Sequence, residues 1–258
     1  MDYERFADIY GIWTATASSA RANLAFYVDA YLAADGPVVE LGVGDGRIAV
    51  DAAVRGRAII GVDLSPAMLR LCEERAERAG VIGRLTLLQA DFRSFRLAEP
   101  AALIALPYHS IGHLSSLDEK RDALRHIHAQ LRPGGCFMFD DFLMTPERLE
   151  RMQSVQLRAE YQSADGRDVL LWVTSLVNEA AQSMLVVTWE DELDAEGTLQ
   201  RRRYRKLHLS WLEPAQARQL LLDAGFTVDA CFGDFGRTPF KAASAQEQIW
   251  IARKGASR

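Results

Sequence analysis

Three glycines at alternate positions, Gly42, Gly44 and Gly46, follow the aliphatic run Val38, Val39 and Leu41 and precede Ile48 to Val54 at helical spacing. The stretch reads as a short buried strand, a tight turn and a helix. Nothing else in the chain limits its fold so sharply. A side chain at Gly42 or Gly44 would hold a ligand off the backbone, glycine tolerates positive φ, and the helix N-terminus beyond offers unpaired N–H groups. The expectation is an α/β protein that cradles a nucleotide-like cofactor. A dinucleotide loop, G-x-G-x-x-G, needs glycine where Arg47 stands, and Glu40 at the end of the strand suits an ammonium or a ribose hydroxyl better than a pyrophosphate. An NAD(P)-dependent oxidoreductase is therefore the alternative reading, with two residues against it.

An acid followed by G-x-G-x-G resembles motif I of the class I S-adenosylmethionine (SAM) dependent methyltransferases. Later segments fit the same family in order over nearly the whole chain. The chain is most similar to small-molecule methyltransferases that carry a β-rich insertion after the fifth strand. The resemblance implies a Rossmann-like, mostly parallel sheet with helices on both faces, an inserted antiparallel β meander, SAM as cofactor, and N- or O-methylation of a metabolite, as in natural-product biosynthesis. A non-catalytic SAM-binding protein is a further alternative. The implied organisation is a lid and helix over 1–34, a SAM-binding core over 35–154, the β insertion over 155–212, and a return to the core over 213–258.

Asp63 ends the second strand, where a carboxylate can take both ribose hydroxyls of an adenosine, since Ser65 and Pro66 already supply the cap and first position of the next helix. The resemblance assigns the adenine amino group to Asp91 and the ring to Phe92, with Leu64, Met68 and Leu106 completing the pocket. Arg21, a cation in the first turn of a helix, opposes the helix dipole; it is either a clamp on the SAM carboxylate or a solvated surface residue.

Ala101 to Leu106 is wholly apolar, as expected of a parallel strand covered on both faces, and ligands sit beyond the carboxyl ends of such strands. The loop Pro107 to His113 therefore faces the chemistry. His109 is the first expected base, Tyr10 competes with it, and His113 stands behind both. Tyr108, Trp13, Asp140 and Asp141 are expected on the substrate side. Enzymes that methylate planar exocyclic amines carry Asn or Asp, then Pro, Pro and an aromatic; Ala105 and Leu106 replace the first two here, which speaks against base or glutamine methylation.

A net charge of -5 argues against a nucleic-acid partner. Residues 1–5 lack the basic start of a signal peptide and no run is long enough to span a bilayer, so a cytoplasmic protein without a membrane partner is expected. Cys72, Cys136 and Cys231 have no zinc spacing, and Asp140 with Asp141 are too few to hold a metal, so none is expected. In Val169 to Val177 both alternating faces are apolar. One face is expected to roof the substrate and the other to meet a second copy in a homodimer.

Overall fold

A computed structural model describes residues 6–16 and 18–256, with the side chains of residues 18–21 outside that description. Helices α1 (Ala7–Ala15) and α2 (Ser18–Ala33) lead into β1 (Val38–Leu41), α3 (Arg47–Val54), β2 (Ile59–Asp63), α4 (Pro66–Arg78), β3 (Leu85–Gln89), β4 (Ala101–Leu106), α5 (Leu117–Gln130) and β5 (Leu131–Phe142). After α6 (Pro146–Gln153) come β6 (Gln156–Gln162), β7 (Asp168–Asn178), β8 (Ser183–Leu193) and β9 (Leu199–Ser210), then α7 (Pro214–Asp223), β10 (Phe226–Phe232) and β11 (Glu247–Lys254).

Seven strands form one sheet in the order β10-β11-β5-β4-β1-β2-β3. Only β11 runs against its neighbours. The chain leaves β1 toward β2 and β3 on one side and returns through β4 to the other, so the crevice between β1 and β4 is the topological switch point where such sheets bind ligands. The apolar character of β4 is explained by cover on both faces. Ile104 and Leu106 pack with Leu124 and Ile127 of α5, while Leu103 and Ala105 pack with Tyr27, Tyr31 and Ala49. Arg132 to Gly135 lie within β5, as an irregular stretch between the pairs Ala101–Leu131 and Leu103–Cys136.

The expected meander is present as a separate antiparallel sheet, β6-β7-β8-β9. Two of its three turns carry Gly166 and Gly197 at φ +80°, and the third carries Gln182 at φ +47°. One face, with Leu171, Val186 and Met184, is buried, and Leu171 packs on Phe6 and Ile9 of α1. Arg203 and Arg205 of β9 also point to this side and pair with Asp8 of α1, at 2.9 and 2.6 Å. Arg205 is 3% exposed and pairs further with Glu190 at 2.6 Å. Arg205 is held inside the molecule, whereas Arg203 stays exposed at its edge.

Candidate active site

The glycine turn has the conformation its spacing requires. Gly42 and Gly44 adopt φ of +63° and +56°, and a Cβ on either would press on Ser110 Oγ at 3.2 Å or Tyr10 Oη at 3.3 Å. Gly46 is a glycine for another reason: a Cβ there would stand 2.5 Å from the Cys72 sulfur, so its role is the packing of α3 on α4. Asp63 accepts from Gly44 N at 2.8 Å and from Ser65 N at 2.9 Å, one bond on each oxygen. Burial raises its pKa against the pull of these backbone bonds. A carboxylate oxygen has two lone pairs, so both remain able to accept a hydroxyl.

Beyond this turn lies a cavity of about 160 Å³ lined by Gly42, Gly44, Asp63, Leu64, Met68, Asp91 and Phe92. The structure thus brings together seven of the expected cofactor residues. Glu40 and Leu106 do not reach it, and Arg21 lies among the side chains not described. Glu40 is 2% exposed, its Oε2 has no hydrogen-bond partner among the described residues, and burial pushes its pKa up to about 8, offset in part by Tyr31 and Arg47. Leu106 belongs to the core under α5 because strand alternation turns it inward. Arg93 was not singled out by sequence: it grips Asp91 through Nε and Nη2, at 3.0 and 2.6 Å, and bridges to Glu119 at 2.8 Å. Its hydrogen bonds hold the Asp91 carboxyl below its usual range.

A second cavity of about 780 Å³ lies between α1, α6, the loop after β4 and the buried face of the inserted sheet. Tyr10, Tyr108 and His113 line both cavities. Trp13 and His109 line the larger.

Tyr108 and His109 both adopt left-handed conformations, φ +61° and +57°, which costs about 1–3 kcal/mol at each non-glycine residue. Asp140 holds them there. Its carboxylate accepts from Tyr108 N at 2.9 Å, His109 N at 3.0 Å and Tyr27 Oη at 2.5 Å. Asp141 accepts from Leu212 N and Phe142 N, both at 2.8 Å, tying the end of the insertion back to the core. Both acids are 0% exposed and neither lines a cavity. The expectation that they contact substrate is not met by this geometry; they brace the loops around it. Nor do they cap α6, whose cap is Thr145.

His109 stacks on Phe142 at 3.9 Å, and its Nε2 lies 3.0 Å from Glu247. Arg148 joins the same carboxylate at 2.9 Å. Burial alone would lower the His109 pKa, but Glu247 and Asp140 outweigh it and the net shift is upward. Glu247 goes the other way, from 4.5 to about 2, as His109 and Arg148 overcome its burial. His113 is pushed down to about 4 by burial and then by Lys120, so it stays neutral at ordinary pH. Of the two histidines, the uncharged one stands where the cavities meet.

The Glu247 pair sets a pH dependence. His109, raised from 6.5, adds stability that is complete below about pH 6.5 and is lost as pH rises through its folded value; Glu247 adds stability above its ordinary 4.5 that is lost as pH falls toward 2. Between about pH 6 and 8 the thermal midpoint should therefore fall in the wild type. In Glu247→Gln that fall should shrink, because burial then dominates at His109. Calorimetric scans with equal slopes for both proteins would contradict this pairing.

Residues 38–135 match the family profile described as "Methyltransferase domain". The chain is a SAM-dependent methyltransferase. The nicotinamide and non-catalytic readings fall away with that match. The methyltransferase is 24% identical to the cypemycin N-terminal methyltransferase of Streptomyces sp over 92% of this chain and 91% of that one. In fold it is similar to the CcbJ methyltransferase from Streptomyces caelestis, with TM-score 0.79, 24% identity and 97% and 96% of the two chains covered. It is likewise similar to SAM-bound CalS10, an amino pentose methyltransferase from Micromonospora echinaspora, with TM-score 0.69, 21% identity and 92% and 91% covered. The residues of the cavity beside Asp63 suit SAM: the bare backbone of Gly42 and Gly44 forms part of its wall, and the acid at its edge can accept ribose hydroxyls. Among the described residues no cluster of three or more His, Cys, Asp or Glu is arranged to hold a metal, and no described helix is long and apolar enough to cross a membrane.

Proposed function

We propose that the methyltransferase methylates an amine on a small molecule held in the larger cavity, with SAM in the smaller. The observation that carries this reading is the shared wall: Tyr10, Tyr108 and His113 border both spaces, so an acceptor and a methyl donor meet there. SAM supplies a methyl carbon on a sulfonium sulfur. Transfer forms a bond from the acceptor lone pair to that carbon, while the carbon–sulfur electron pair goes to sulfur. A neutral amine needs no base beforehand, and the proton it then carries departs to solvent. Alignment and exclusion of water by the lid, loop and roof supply the rate. Neutral His113 accepts a hydrogen bond from the amine and orients it. His109, engaged by Glu247, holds the floor of the cavity instead. The amine assignment is supported by two similar proteins, one an N-terminal methyltransferase and the other an amino pentose methyltransferase.

Purified protein incubated with methyl-labelled SAM and a panel of small amines, sugars and phenols, with products read by mass spectrometry, tests this. Label found mainly on oxygen or carbon acceptors would overturn the amine assignment.

The outer face of the inserted sheet is the proposed contact with a second copy. Trp172 and Trp189 stack there, beside Leu157, Leu176 and Tyr204, which are 49%, 64% and 51% exposed. Exposed apolar patches of this kind are uncommon on monomers. Light scattering at micromolar concentration should return about twice 28.8 kDa, and Trp172→Glu should halve it; a wild-type monomer would rule the contact out.

A further inference from the structure

Arg158, on β6, lines the larger cavity. Its guanidinium lies 4.7 Å above the Trp13 ring and Nη2 donates to the Trp13 carbonyl oxygen at 3.2 Å. Nε has no hydrogen-bond partner among the described residues, and no described carboxylate pairs with this side chain. In this it differs from two buried neighbours: Arg148 is held by Glu247 at 2.9 Å, and Arg205 by Glu190 and Asp8, both at 2.6 Å.

The acids that line the same cavity are otherwise engaged. Glu247 serves His109 and Arg148. Asp234 accepts from Thr238 N within its own loop at 3.1 Å. Glu147 is turned to its own backbone and Thr145 at the start of α6. Burial penalises the unpaired charge on Arg158, pushing its pKa down, while Tyr108 nearby works the other way. Half-buried charge of this kind is costly unless something pairs with it.

We infer that Arg158 is a subsite for a carboxylate carried by the acceptor itself. A single guanidinium balances one negative charge, and its planar fork matches a carboxylate. A phosphate dianion would ask for a second cation, and Arg151 at the cavity rim is exposed. Trp13 and Tyr108 stand beside Arg158, and Tyr108 also borders the cofactor cavity, so the anion sits close to the point of transfer. Val173, Val186, Leu207 and Leu209 roof the remaining space. An amine near the junction, a carboxylate at Arg158 and an apolar body beneath the roof together describe an amino acid or a short peptide-like acid. This rests on the reading of the larger cavity as the acceptor site.

The test is calorimetric titration of leucylphenylalanine and of its C-terminal amide into the protein saturated with S-adenosylhomocysteine. Binding of the nucleoside is measured first, on its own. The acid should bind about tenfold or more tighter than the amide, since hydrogen bonds to charged groups contribute about that much. In Arg158→Gln the acid should fall to the affinity of the amide, and Arg158→Lys, which keeps the charge without the fork, should lie between them. Thermal melting of both variants checks that α1 remains docked. Equal affinity of acid and amide in the wild type, a preference that survives in Arg158→Gln, or no saturable binding of the acid up to about 50 mM would each overturn the inference. If S-adenosylhomocysteine itself fails to bind, the proposed function fails, whereas the acid and amide comparison still reads Arg158 separately.

Discussion

Asp63→Ala should weaken SAM binding by about two orders of magnitude, more than any other single change at the cofactor cavity. Hydrogen bonds to a charged group contribute about 1.5 to 3 kcal/mol, so loss of the ribose acceptor alone corresponds to roughly tenfold to a hundredfold. The rest comes from the turn. Asp63 fixes the N–H groups of Gly44 and Ser65 at 2.8 and 2.9 Å, and without it the glycine turn and the start of α4 both lose their brace. Asp63→Asn keeps one acceptor oxygen and should fall between wild type and alanine. Calorimetry with SAM reads all three proteins, and a dissociation constant within about threefold of wild type in the alanine variant would contradict the assignment.

Asp140→Asn should lower turnover by about a hundredfold while changing SAM affinity far less. The carboxylate accepts three hydrogen bonds, two of them from the consecutive left-handed residues Tyr108 and His109. An amide of the same shape turns a donor toward these donors. The loop then relaxes toward ordinary φ and Tyr108 leaves the shared wall, and a misplacement of about 1 Å at a reacting site can cost a hundredfold. A drop in the thermal midpoint should accompany it, because buried N–H groups left unpaired cost about 1–3 kcal/mol each. Full turnover in Asp140→Asn would show that the loop keeps its shape by other means.

The parallel sheet and the cofactor turn were legible because their causes are local. Alternate glycines, an apolar strand and a capped helix need no knowledge of distant residues. The braces were not legible, because an acid at the carboxyl edge of a strand looks the same whether it meets a ligand or a neighbouring loop. Asp140 was placed with the substrate on that ground. Which of the two it meets depends on the left-handed backbone at Tyr108 and His109, and nothing in Pro107-Tyr108-His109 announces that conformation. Glu247 was overlooked for a topological reason. Because β11 alone is reversed, its first residue, not its last, arrives at the ligand edge beside His109. Arg148 does leave a trace in the sequence, as a cation in the first turn of α6 where the dipole disfavours it, the same sign that marks Arg21.

The ion pairs from Asp8 to Arg203 and Arg205 join residues 195 and 197 positions apart. During synthesis at roughly 5–20 residues per second, α1 is therefore made about 10 to 40 s before the strand that pairs with Asp8 exists. The glycine turn, β2 and β4 are complete long before that. The cofactor half of the molecule is assembled while the acceptor cavity is still open, and the cavity closes only when the oldest and some of the youngest parts of the chain meet.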